Sequence, residues 1–131
     1  MIKLAVFLLL LNVLFLAGCE NEQASKLQLP GYSWVGDTPA EFAKGESLFN
    51  TQCAPCHGQG AKGTHQGPPL LSKIYEPRHH SDLSFHRAVQ QGVQAHHWKF
   101  GNMPGIEGVN EEAVNEIIKY IRWLQHQAGI F

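Results

Sequence analysis

The sequence predicts an all-α domain of three to four helices, with long loops wrapped around one large bound group. Three observations carry that expectation. Apolar residues recur at helical spacing in three segments, and no alternating strand run competes with them. The connections are long and rich in Gly, Pro and His, and long ordered loops in a small domain need something to pack against. The chain has 131 residues, enough for one domain. With so few helices, the polypeptide core alone is thin for that length.

The first helix signal is Thr38-Pro39-Ala40-Glu41, the pattern of a capping box with proline at the first helical position. Phe42, Gly45 and Phe49 follow on one face. A glycine in mid-helix costs about 1 kcal/mol against alanine, so Gly45 predicts a second helix crossing closely there. A middle helix starts at Ser81 or Asp82, takes Leu83, Phe85, Ala88 and Val89 as its apolar positions, and stops at Gly92. The last helix is capped by Asn110, with Glu111 and Glu112 at its positive start and Gly129 after its end. Val114, Ile117, Ile118, Ile121 and Leu124 repeat at helical spacing, widened by Tyr120. This helix is the candidate partner for Gly45.

The N-terminus carries different chemistry. Lys3 precedes an apolar run, "LAVFLLLLNVLFLAG", that is short for a membrane span and fits the core of a secretory signal. Leu16-Ala17-Gly18-Cys19 resembles a bacterial lipobox, the signal after which the cysteine thiol is acylated and the chain is cut before it. The competing account is an uncleaved anchor with an incidental cysteine. The expected organisation is therefore a lipoprotein signal peptide at 1–18, a lipid-anchored linker at 19–37 and a domain at 38–131. The polar linker contains Pro30, Gly31 and Gly36; Tyr32, Trp34 and Val35 near its end are suited to packing on the domain edge. Anchoring through Cys19 places the domain outside the cytoplasm on a bacterial membrane, most naturally on the periplasmic side. Processing also removes Met1 and leaves Met103 as the only methionine.

Charge excludes one class of partner. Ten basic residues face eleven acidic ones with no basic stripe, which argues against nucleic acid.

Residues 53–57 read "CAPCH". A Cys-x-x-Cys redox pair normally opens a helix after a strand, and no such context surrounds this one. A zinc site needs four ligands; Cys19 is spoken for, so His79-His80 and His96-His97 would have to complete it. Cys-x-x-Cys-His is also the signature of covalent haem attachment. Two thiols three residues apart can add to the two vinyl groups on one haem edge, and the next residue then lies where an imidazole can bind iron. Export agrees with that reading. It makes Cys53 and Cys56 the attachment residues, His57 the proximal ligand and haem c, one per chain, the cofactor.

With these residues in place, the chain resembles a class I monohaem cytochrome c over roughly residues 38–128. The resemblance rests on the Gly45/Phe49 helix, "CAPCHG", "GPPL" at 67–70, "GNMPG" at 101–105, and the final helix with Ile117 and Tyr120. It implies the cytochrome c fold, with first and last helices crossing at the glycine. It also implies that the Pro68 carbonyl accepts a hydrogen bond from the outer nitrogen of His57. The family places a methionine ligand in a loop before the last helix, and here that is Met103. The alternative for Met103 is core packing. His96 or His97 as the distal ligand, or an open iron, are the other possibilities. For the paired histidines the simplest account is solvated loop residues; a second metal and haem propionates are their other potential partners. Trp98 and Lys99 are candidates for contacts to a propionate, and Trp123 for packing.

The expected function is electron transfer. A His/Met-ligated haem has no open site for substrate, so the protein is expected to be no enzyme and to take no small-molecule substrate. Its partners would be respiratory or periplasmic oxidoreductases, with the membrane held through Cys19. The alternative is a haem-based ligand-binding or sensing module, or a metal-handling accessory subunit using the histidine pairs.

Overall fold

A computed structural model describes residues 37–131. The predicted signal peptide, nearly all of the linker, Cys19 and the Tyr32-Trp34-Val35 group lie outside the described residues. The fold is all-α. Helix α1 is Ala43–Gln52, α2 is the single turn Ala54–His57, α3 is Asp82–Gln91 and α4 is Glu111–Gln127, with 3₁₀ turns at Ala40–Phe42, Gln59–Ala61 and Lys73–Tyr75. Among the described residues no helix is long and apolar enough to cross a membrane.

The entry to α1 differs from the expected capping box. Pro39 is extended (φ −55°, ψ 145°) and its carbonyl accepts the Phe42 N–H at 2.8 Å; no side chain caps this turn. Proline also biases the residue before it away from helical geometry, so the chain enters through a 3₁₀ turn and α1 begins four residues later than Pro39. The other ends follow expectation. Asn110 Oδ1 accepts the Ala113 N–H at 2.8 Å, and Gly92 ends α3 at φ 76°.

α1 and α4 form the packed half of the domain. A Cβ built on Gly45 would run into the Glu116 carbonyl and come within 2.9 Å of Tyr120 Cβ, so this crossing requires glycine. Around it Phe49 packs on Tyr120 with ring centroids 5.7 Å apart, and Phe42 stacks on Trp123 at 5.3 Å. Val114, Ile117, Ile118, Ile121 and Leu124 are buried, as the helical repeat predicts. Trp123 is a packing residue in this arrangement. α3 behaves differently: none of its residues is fully buried, and Leu83, predicted as apolar packing, is 55% exposed.

The long segment between α2 and α3 is tied to α4 by polar contacts. Gln125 is buried, and its Nε2 donates to the carbonyls of Leu70 (2.9 Å) and Tyr75 (3.1 Å). Arg122 donates to the carbonyls of Tyr75 and His80 and to Asp82 Oδ1, and lies over the Phe85 ring. These bonds satisfy loop carbonyls that would otherwise be left without partners.

Gly45→Ala should destabilise the haem-loaded protein by about 1–3 kcal/mol, because two helix backbones must separate. Equilibrium denaturant unfolding of the wild type and the variant measures it; equal midpoints would mean that the helices do not cross here.

Candidate functional site

The "CAPCH" residues leave α1 at a kink. The Cys53 N–H still bonds the Phe49 carbonyl (2.8 Å), but Cys53 itself turns to φ −117° before the single turn of α2. Pro55 sits in that first turn, where it breaks no helical hydrogen bond. No disulfide joins the two cysteines; Cys53 is partly buried and Cys56 exposed. The Cys53 thiol is pushed up to about 11, by burial first and by Cys56 second. It therefore stays protonated at neutral pH, the opposite of the depressed thiol that drives disulfide exchange.

His57 is held by the backbone. Its Nδ1 donates to the Pro68 carbonyl at 2.9 Å, as the resemblance implies. Burial lowers the imidazole pKa and the Pro68 bond partly offsets this, so the ring is neutral with its lone pair on Nε2. The loop that carries Pro68 interlocks with α2. Gly63 N–H bonds the His57 carbonyl (2.6 Å), Thr64 Oγ1 donates to the Cys56 carbonyl (2.5 Å), and Leu70 N–H bonds the Ala61 carbonyl (2.9 Å). Gly67 lies so close that an added Cβ would be 2.9 Å from the Cys56 oxygen.

Met103 is positioned by a short antiparallel bridge to Val93: Val93 N–H bonds the Met103 carbonyl (2.9 Å), and Met103 N–H bonds the Val93 carbonyl (3.0 Å). Asn102 Oδ1 accepts the Ala95 N–H at 3.0 Å, and Ile106 N–H bonds the Val89 carbonyl at 2.7 Å. The loop after α3 is thus folded back against the helix from which it comes.

These segments surround one cavity of about 830 Å³. Cys53, Cys56, His57, Pro68 and Met103 all line it, so the predicted site residues from three separate segments are brought together. Most of the remaining wall is apolar, including Leu70, Phe85, Val89, Ile117, Ile118 and Ile121. A haem fits this donor set: two thiols, an imidazole with a free lone pair and a thioether line a chamber suited to a flat apolar macrocycle. The Trp98 indole N–H, also on the wall, is buried beside the Tyr75 hydroxyl and is a donor within reach of a polar edge of the group. It lies close enough to Tyr75 to counter in part the burial that raises that phenol.

The histidine pairs, read most simply as solvated loop residues with a second metal among the alternatives, come together in the structure. His79, His80, His96 and His97 also line the cavity, and their rings meet; the His96 and His97 centroids are 4.3 Å apart and those of His79 and His97 5.1 Å apart. The signal was present in the lengths. Ten helical residues of α3 advance about 15 Å, and five extended residues after the Gly92 turn can retrace about the same distance.

Comparison with known proteins identifies the family of the domain. A family model described as Cytochrome c matches residues 42–125. Among curated proteins, cytochrome c-L of Methylorubrum extorquens is 27% identical over 112 residues, covering 83% of this chain and 51% of that protein. The chain thus spans about half the length of this relative. No solved structure matches significantly.

Gly67→Ala should force the loop carrying Pro68 away from Cys56, at a cost of about 1–3 kcal/mol. The expected result is a lower fraction of covalently haem-loaded chain, read as haem absorbance per polypeptide. Unchanged loading and thermal stability would contradict the close contact.

Proposed function

The chain belongs to the cytochrome c family and carries one covalent haem c, and on that premise we propose that it is a membrane-anchored electron carrier with His57 and Met103 as its axial ligands. The observation that carries this reading is the presence of both side chains on one largely apolar cavity, with the His57 ring held by the Pro68 carbonyl and the Met103 backbone held by Val93. The haem supplies one-electron cycling of its iron; the chain supplies attachment, axial donors and exclusion of water.

Cys53 and Cys56 hold the group through thioether bonds. The Pro68 carbonyl fixes the tautomer and orientation of His57 and strengthens its Nε2 as a donor. A neutral, soft thioether from Met103 favours reduced iron and sets a higher potential than a second histidine would. The largely apolar wall would leave few polar groups to reorganise around the group when its charge changes. With His57 and Met103 both holding the iron, the chain would leave no position for a substrate, which favours the carrier reading over an enzyme. Cys19 is the acylated first residue of the mature chain in this account, and the domain works on the periplasmic side with respiratory or periplasmic oxidoreductases as partners. The lipobox-like "LAGC" supports the anchor.

Met103→Ala should abolish the sulfur-to-iron charge-transfer band of the ferric protein and let carbon monoxide bind the reduced protein readily. It should also lower the potential by more than about 100 mV, a modest part of the roughly 0.8 V that axial ligands span. Ready binding of carbon monoxide by the wild type would favour a ligand-binding module instead. If Met103→Ala changes nothing and His96→Ala or His97→Ala shifts the haem spectrum, the distal ligand is a histidine. Mass spectrometry of detergent-extracted protein should place an acyl mass on Cys19 and find no residues 1–18. A soluble, unmodified form cut elsewhere would remove the anchor.

A further inference from the structure

We propose that His79, His80 and His97 form a second metal site on the wall of the haem cavity, which binds one divalent transition-metal ion of imidazole preference, copper(II) foremost and zinc(II) after it. One ligand nitrogen from each residue lies within 4.8 Å of the other two. His79 Nε2 and His97 Nε2 are 3.2 Å apart. Zinc–nitrogen bonds of about 2.0–2.1 Å in a tetrahedral site put two ligand nitrogens roughly 3.3 Å apart. The pair therefore already has the separation that a shared ion imposes. A dication would take the place of the proton between them, and the ring that had donated it stays neutral by carrying its one N–H on Nδ1.

His80 is prepared in the way that metal-binding histidines are. Its Nδ1 donates to the Ile74 carbonyl at 2.6 Å, which leaves the Nε2 lone pair free. This repeats the arrangement of His57 on Pro68. The His80 backbone is fixed as well, because Arg122 Nη2 donates to its carbonyl at 2.6 Å. Arg122 brings a positive charge, but Asp82 pairs with it at 2.8 Å, so the cation is matched locally. His96 lies beside the three, with its Nδ1 donating to the Gln94 carbonyl at 2.7 Å.

The donor set decides the ion. Three neutral nitrogens without a carboxylate or thiolate do not suit magnesium or calcium, which take oxygen ligands. Imidazoles suit copper and zinc, and affinity rises to copper(II) and falls at zinc(II). Three protein ligands leave a fourth position for water or a small ligand. His79 and His97 are exposed, so burial in the core does not account for their convergence.

The test uses ferric, haem-loaded protein titrated with zinc(II) by calorimetry and with copper(II) by electron paramagnetic resonance. One ion per chain is expected, with copper the tighter and with nitrogen hyperfine structure on its signal. His79→Ala and His97→Ala should each weaken binding by at least about tenfold, the scale on which even outer-shell partners act. The double variant should lose stoichiometric binding, while His86→Ala and His126→Ala retain it. The sulfur-to-iron charge-transfer band of the ferric protein reports that the axial pair is intact and should persist in every variant, even where a lost wall residue shifts the rest of the haem spectrum. Absent or non-stoichiometric binding, or binding that survives in the double variant, overturns the site. A change of axial ligation in His97→Ala, read as a new ligand-field or charge-transfer pattern that Met103→Ala does not share, also overturns it, since that histidine would then be an iron ligand.

Discussion

A cavity of about 830 Å³ lies against α4, and the rest of the domain is arranged around it. A space of that size lined by apolar side chains cannot be closed by the short helices available, and left hydrated it would cost the burial that those side chains should provide. The buried cluster shows the consequence. Phe49, Leu70, Leu71, Ile117, Tyr120, Ile121 and Leu124 pack together on one side, while α3 has no fully buried residue. Phe85, Ala88 and Val89 of α3 line the cavity instead. The bound haem is thus the missing part of the core, and covalent attachment couples its capture to folding.

The donors are placed mostly by backbone. Pro68 offers a carbonyl, which substitution at that side chain alone cannot remove, and its position is set by the close contact of Gly67 with Cys56. Met103 is placed by two backbone bonds to Val93. Such an arrangement holds ligands within narrow limits without spending side-chain entropy on them. It suits a site that must keep one geometry in two charge states. The Gln125 and Arg122 bonds extend the same logic to the loop at 70–82, whose carbonyls they satisfy.

Much of this was legible in the residues. The apolar repeat of α4 predicts its buried face, the cost of Gly45 predicts the crossing, and "CAPCH", "GPPL" and "GNMPG" name the cavity's donors. What was not legible depends on tertiary direction. The capping pattern at Thr38 failed because Pro39 holds an extended backbone and starts a 3₁₀ turn. Leu83 fits the apolar stripe but projects where nothing covers it. The histidine pairs meet because the chain reverses after α3, and a spacing of 16 to 18 residues reveals proximity only once that reversal is known. The roles of Arg122 and Gln125 were missed because loop carbonyls leave no mark in side-chain patterns.

The central claim is that this cage presents one imidazole and one thioether to the iron. X-ray absorption at the iron edge of the ferric, haem-loaded protein tests it without altering any residue. The account predicts a first shell of nitrogen scatterers with a single sulfur. A shell of nitrogen or oxygen alone would contradict it, since Met103 would then lie on the cavity wall without reaching the metal.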